Sequence, residues 1–371
     1  MNRPFAGLLI SSFLAFSACD DSSSPSSPGP SSDGPLSQLD SLFAPPTAAE
    51  TTLIASQWAE RAVQVQGAKV ESSFNVSIAL PMQYTSIGVP TSWTLPASVD
   101  VRVISHVVDG FRHNGILYVP EGNGPFPVLV FAHGDDGGID DTQWSMLLQA
   151  MGSLCDSVAI IAPSFRSEPV SMPSSAWLSE GTPSPWDRDI DDMRGLLRAC
   201  AKLDAKLDTS RITVVGYSRG GGVALLAAER DPIFRSVATI AAPTAFQGPW
   251  VRSLADSLLA GNALNLPGVD FIDSTVLLAL HEHRISMDSA RRELIRRSAV
   301  TWASRLPAQL QLHHGYADIT VPSDELVRLQ AALQTIGRSP DVHFWPNKTH
   351  LTVLFSALPE VRTFVSSQLL H

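Results

Sequence analysis

The stretch Arg211–Ala228, RITVVGYSRGGGVALLAA, restricts the fold more than any other. A β-branched run, Ile212–Val215, leads into Gly216-Tyr217-Ser218-Arg219-Gly220, a G-x-S-x-G match, and a helix-forming run, Val223–Ala228, follows. A strand-to-helix turn this tight puts the serine in a strained backbone conformation at the strand's carboxyl end. Glycines two before and two after the serine are expected where neighbouring backbone passes too close for a Cβ. Gly221 and Gly222 extend that clearance, and the helix start points free N–H groups at the serine oxygen. The plainer reading is an ordinary glycine-rich turn; the strand before it and the helix after it favour the serine-presenting one.

The rest of the chain supplies a setting for such a turn. With 371 residues, 44% of them apolar, there is enough material for one large core. Candidate strands are Val99–Val108, Gly115–Val119, Pro127–Ala132, Ser157–Ala162, Arg211–Val215, Ser236–Ala241, Ala308–His313 and Asp341–Trp345. The first two flank Asp109–Asn114 as an antiparallel hairpin would. The later ones are short apolar runs separated by helical segments, the pattern of a buried parallel sheet. In Asp187–Cys200, Ile190, Met193, Leu196, Leu197 and Cys200 fall on one helical face. Upstream, Thr47–Gln66 reads as a helix and Ser72–Ala79 alternates like a strand, so 47–98 forms an N-terminal extension.

Eight strands with the serine turn after the fifth is the α/β-hydrolase layout, and residues 99–371 resemble that superfamily. They are most similar to its prolyl-oligopeptidase-like and dienelactone-hydrolase-like catalytic domains. The likeness rests on His133-Gly134, Pro163-Ser164-Phe165-Arg166, Gly216-Tyr217-Ser218-Arg219-Gly220-Gly221, His314-Gly315-Tyr316-Ala317-Asp318-Ile319-Thr320-Val321-Pro322 and His350, in family order. It covers roughly three quarters of the chain and not the N-terminal portion, which is too short for a β-propeller. It implies a mostly parallel eight-stranded sheet with helices on both faces. A helical cap insertion is expected over 244–306, with runs at Pro249–Ala260, Asp273–Glu282 and Ser286–Ser304.

The chemistry follows from what a serine hydroxyl lacks. It is a poor nucleophile at neutral pH and needs a base, which needs an orienting acid. In this superfamily the order is serine, acid, histidine. Asp318 follows the seventh strand and is the expected acid; Asp324 and Glu325 fall at the next helix start, where carboxylates need no catalytic reason. His350 follows the eighth strand and is the expected base, whereas His343 lies inside the strand and His371 is terminal. The oxyanion donors are expected to be the backbone N–H groups of Arg219 and of Asp135. Around Asp135 the loop reads His-Gly-Asp-Asp-Gly-Gly, which sets two carboxylates near a developing anion unless they point away or meet a cationic substrate. Trp250, Phe271 and Leu277 are candidates for an apolar substrate pocket, with cap packing as the plainer reading.

The resulting expectation is a serine hydrolase cleaving a small ester through an acyl-enzyme, with no cofactor and no metal. A peptidase acting on short peptides is the rival, and a non-catalytic binding protein on the same fold the third reading. His281-Glu282-His283 lacks the spacing of a zinc-binding H-E-x-x-H motif. Arg291, Arg292, Arg296 and Arg297 read as a solvated helical face, and Asn347-Lys348-Thr349 as an incidental sequon. The net charge of −10 and the absence of a basic cluster argue against nucleic acid as a partner.

The N-terminus reads as a targeting segment. Arg3 precedes an apolar run, Phe5–Phe16, too short to span a bilayer. Phe16-Ser17-Ala18-Cys19 resembles a bacterial lipobox, which implies a signal peptide over 1–19 and lipidation of Cys19; an ordinary secretory signal is the alternative. The Ser/Pro/Gly-rich segment that follows reads as a disordered tether over 20–46, holding an exported domain to a membrane. The two remaining cysteines, Cys155 and Cys200, lack metal-site spacing. Both fall at the amino ends of strands that flank the third in the family's order, so a disulfide between them is a candidate, with buried free thiols as the alternative.

Overall fold

The computed structural model describes residues 35–61, 63–76, 99–262 and 268–371. Residues 1–34, with Cys19 and most of the expected tether, and residues 77–98 lie outside the described part.

Nine strands form the main sheet: β1 (Gln66–Val76), β2 (Val99–Val108), β3 (Phe111–Tyr118), β4 (Phe126–Ala132), β6 (Ala159–Pro163), β9 (Leu207–Tyr217), β10 (Ser236–Ile240), β11 (Gln309–Gly315) and β12 (Asp341–Trp345). Their order is β1-β2-β3-β6-β4-β9-β10-β11-β12. Short strands β5 (Ile139–Asp140), β7 (Pro169–Met172) and β8 (Ser175–Leu178) make a separate sheet. β1, β2, β3 and β6 pair antiparallel; from β6 across to β12 every pair is parallel. The hairpin between β2 and β3 turns on Asp109 and Gly110, both at positive φ (54° and 82°), the geometry a two-residue turn requires. The eight strands expected from the sequence become nine because β1, from the N-terminal extension, adds itself to the sheet edge beside β2.

Helices cover both faces. Valines 128 and 130 of β4 point into one layer with α4 (Arg188–Leu203) and α5 (Arg219–Arg230). Leu129 and Phe131 point into the other, with α3 (Asp141–Met151) and α9 (His350–Leu369). This period of two is what a strand buried on both faces dictates. It also decides the disulfide question. Cys155 lies in the second layer, its thiol turned to the Leu148 carbonyl at 3.6 Å, and Cys200 lies in the first, on α4. The sheet separates them and both are free thiols, so the disulfide reading is corrected. Burial in apolar surroundings pushes the Cys155 thiol up to about 12 and raises that of Cys200.

The tether reading over 20–46 is corrected at its C-terminal end. Pro35–Leu42 is a helix, α1, with Leu39 and Leu42 buried, and α2 (Ala48–Glu60) follows with a capping box between Thr47 and Glu50. Nor do the arginines form a solvated face. Arg291, on α7 (Met287–Arg297), reaches back to the carbonyls of Ser41, Ala44 and Pro45 and pairs with Glu50 at 2.7 Å. The hydrogen bond from Arg291, helped by those from Thr47, outweighs burial and holds the Glu50 carboxyl at about 2. Arg297 is 1% exposed, bonded to the Pro185 carbonyl and stacked on Phe271. The helix expected over Thr47–Gln66 stops at Glu60, because Val63 and Val65 are buried and their carbonyls accept from Arg198 and Lys202 on α4.

Candidate active site

The serine turn is built as its glycines demand. Ser218 sits between β9 and α5 at φ 54°, ψ −124°, a left-handed conformation that a non-glycine residue holds only when its surroundings impose it. A Cβ on Gly216 would come within 2.1 Å of the Gly220 carbonyl oxygen, and one on Gly220 within 2.0 Å of that of Ala132. Neither position admits any other residue without moving the backbone.

β11 and β12 bring two further groups to this serine. Ser218 Oγ lies 2.8 Å from His350 Nε2, and His350 Nδ1 lies 2.7 Å from Asp318 Oδ2. His350 opens α9 directly after the Thr349 N-cap, and its carbonyl accepts from the Tyr217 hydroxyl at 3.1 Å, so the backbone that carries the ring is held from two sides. Asp318 is equally constrained. Its Oδ1 accepts from the N–H groups of Thr320 and Val321, both at 2.9 Å, and its Oδ2 lies 3.4 Å from His314 Nε2. Burial works to raise its pKa, yet the hydrogen bonds from His314 and His350 outweigh that and hold it at about 2. An ionised acceptor at Nδ1 keeps the proton there and leaves Nε2 bare to accept from the serine. Such a chain can pass a proton from hydroxyl to imidazole while the aspartate steadies the cation that forms.

The loop after β4 passes over the serine. A Cβ on Gly134 would stand 3.2 Å from Ser218 Cβ. Asp135 follows at φ 46°, and its carboxylate accepts from the Gly137 N–H within its own turn. Beneath the loop is a network the sequence reading missed. The Arg219 side chain is 3% exposed. It pairs with both oxygens of Asp189 at 3.0 Å, bonds Glu168, and donates to the Asp135 carbonyl at 3.0 Å. Glu168 also faces His133, Oε2 to Nε2, at 3.4 Å. Burial raises the Glu168 carboxyl and lowers the His133 imidazole to about 4. Two carboxylates meeting one buried arginine left no periodic trace, since Glu168 lies in a loop and Asp189 in the first turn of α4.

An apolar slot reaches Ser218 from the side of the helices between β10 and β11. On α6 (Pro249–Leu259), Trp250, Val251, Leu254, Ala255 and Leu258 line it, joined by Ile272, Leu277 and Val321. Trp250 and Leu277 therefore sit where the sequence suggested, while Phe271 lines a different, more polar cavity. The slot is also walled by Trp186, which the sequence did not single out. It sits at φ 58°, an outlier for a bulky side chain. Its indole donates to the Arg219 carbonyl at 3.1 Å, and its backbone N–H to Asp189 at 3.0 Å. Its ring lies where Cβ atoms on Gly222 or Gly268 would collide.

Among the described residues, His313, His343 and Glu360 form a group whose ligand atoms lie within 4.8 Å of one another. The two rings are stacked, 20° between planes, so their in-plane lone pairs do not converge as a metal site requires. His343 Nε2 lies 2.8 Å from Asp341 Oδ1 and its Nδ1 2.9 Å from Glu360 Oε2.

The sequence profile of the alpha/beta hydrolase family matches residues 129–361. No curated protein matches the chain in sequence. Among solved structures, acetyl xylan esterase 1 from Thermoanaerobacterium sp. JW/SL YS485 superposes with a TM-score of 0.54 at 17% identity, over 89% of this chain and 99% of that one. Pyrococcus horikoshii acylaminoacyl peptidase gives 0.51 at 15% identity, over 72% of this chain and 46% of that one. A Mycobacterium tuberculosis puromycin-hydrolyzing peptidase gives 0.51 at 17%, over 73% and 44%. The chain spans under half the length of either peptidase, and at these identities the likeness is one of fold.

Proposed function

Because the chain belongs to the alpha/beta hydrolase family, we propose that it is a serine hydrolase cleaving an ester through an acyl-enzyme at Ser218. The observation that carries this reading is the unbroken chain from Ser218 Oγ to His350 at 2.8 Å and on to Asp318 at 2.7 Å. His350 removes the serine proton as Ser218 attacks the carbonyl carbon. The tetrahedral oxygen is met by the backbone N–H groups of Arg219 and Asp135. His350 then protonates the leaving alcohol, and water, activated by the same imidazole, releases the acid. Asp318 keeps the imidazole in the tautomer this sequence needs.

The apolar slot supports an ester with an aliphatic acyl group over a peptide. It offers hydrocarbon and indole surface along α6, and such a surface rewards burial of CH₂ groups at about 0.8 kcal/mol each. Export and tethering through Cys19 belong to the same proposal and rest on the apolar run and lipobox-like residues of the N-terminus. No helix among the described residues is long and apolar enough to cross a membrane.

The test compares an acyl p-nitrophenyl ester with the matched acyl p-nitroanilide, in the wild type and in Ser218→Ala. Faster ester cleavage, reduced about 10⁴-fold or more in Ser218→Ala, is expected. Preferential anilide cleavage makes the protein a peptidase, and turnover that survives Ser218→Ala removes the serine mechanism. Fatty-acid labelling that persists in Cys19→Ser rules out the anchor.

A further inference from the structure

Three groups meet under the loop that passes over Ser218, and two of them, His133 and Arg219, are hydrogen-bonded to that loop's backbone. The His133 ring lies 2.7 Å, Nδ1 to oxygen, from the Gly134 carbonyl, which can only accept, so Nδ1 carries the proton. The carbonyl it grips belongs to the same peptide group as the Asp135 N–H. The next carbonyl along, that of Asp135, accepts from Arg219 Nη1 at 3.0 Å. Glu168 stands beside both, with one oxygen bonded to Arg219 and the other 3.4 Å from His133 Nε2 without a hydrogen bond between them.

Arg219 thus touches the site twice. Its backbone N–H starts α5 beside Ser218, and its side chain runs back under the turn to the opposite loop. The guanidinium is stacked 4.9 Å over Phe165 and tied to Asp189 by two hydrogen bonds, so it has little freedom to follow the loop. The loop conforms to it, and Asp135 adopts a positive φ. The His133 bond to the Gly134 carbonyl also polarises that peptide's N–H, the one on Asp135, which strengthens it as a donor.

We infer that the Arg219 side chain is a positioning group: with Glu168 and His133 it fixes the Gly134–Asp135 peptide and thereby sets the second oxyanion donor in register with the first. The inference rests on the proposed acyl-enzyme chemistry at Ser218. It makes one residue the link between both halves of the oxyanion site, and gives Glu168 and His133 a purpose that neither ester binding nor the Ser218–His350–Asp318 chain requires. A displaced donor weakens stabilisation of the tetrahedral state and leaves ground-state binding in the slot intact.

The test uses the full chain and two readouts: the rate at which a fluorophosphonate labels Ser218, and kcat and KM for a p-nitrophenyl ester. Arg219→Met keeps the backbone N–H and removes the guanidinium. Its labelling rate and kcat should fall by about 10²-fold with KM within about threefold, the size of effect seen when one oxyanion donor is lost. Guanidinium ion added to Arg219→Ala should restore part of the labelling rate, which a purely structural role would not allow. His133→Phe preserves the ring stack on Phe165 and releases the Gly134 carbonyl; it should show the same kcat-dominated loss, and it decides the matter if Arg219→Met does not fold. Wild-type labelling rates in either folded variant, or a loss confined to KM, overturn the inference. Labelling without ester turnover in the wild type would instead count against the ester reading alone.

Discussion

At the scale of single residues, the site depends on which atom of His350 holds the proton, and Asp318 decides that. Asp318→Asn can present an amide N–H₂ to Nδ1, favouring the tautomer with Nε2 protonated and unable to accept from Ser218. We expect kcat to fall by about 10²–10⁴ with the fold intact; a fall below tenfold would mean that Asp318 does not set the tautomer. The same residue has a stability signature. Its carboxyl is held at about 2 against an ordinary 3.8, so its ionised form stabilises the fold above about pH 4 and loses that effect as pH falls to 2. The difference in stability between wild type and Asp318→Asn should shrink across that interval. The convergence of Ser218, Asp318 and His350 was legible in the sequence because each sits at a strand end whose apolar run announces it. Trp186, Glu168 and Asp189 were not. Each acts through contacts some 30 to 50 residues away with Arg219, and no local pattern encodes such a partner.

At the scale of elements, α6 gives the slot its character. Trp250, Leu254 and Leu258 recur every four residues and turn one face of the helix to the cavity. Leu254→Trp adds bulk on that face and should lower kcat/KM for a medium-chain ester at least about tenfold more than for an acetate ester, since only the longer acyl group extends along it. Equal effects on both would place the acyl group elsewhere. Strand positions in the catalytic part were readable to within a few residues because buried parallel strands are short continuous apolar runs. The N-terminal elements were read less well. α1 lies in a Ser/Pro/Gly-rich context and is held by Arg291, about 250 residues away. That same pairing buries an arginine face which spacing alone assigns to solvent.

For the whole molecule, the sheet is the partition that organises everything else. It separates two apolar layers, carries Ser218, Asp318 and His350 beyond the carboxyl ends of its strands, and keeps Cys155 from Cys200. Reductant should therefore leave the unfolding midpoint unchanged, and both thiols should resist alkylation until the protein unfolds. A midpoint that drops on reduction would contradict this arrangement. The family resemblance predicted the layout but not the distance between the cysteines, because helical periodicity places Cys200 on the sheet-facing side of α4 without saying which face of the sheet α4 covers. The central claim, that Ser218 is the activated nucleophile, is tested most directly by peptide mapping after reaction with a fluorophosphonate, with residual ester hydrolysis followed in the same sample. We expect one adduct, on Ser218, and hydrolysis lost in proportion to its formation. An adduct at another residue, or hydrolysis that continues with Ser218 fully modified, would contradict the account.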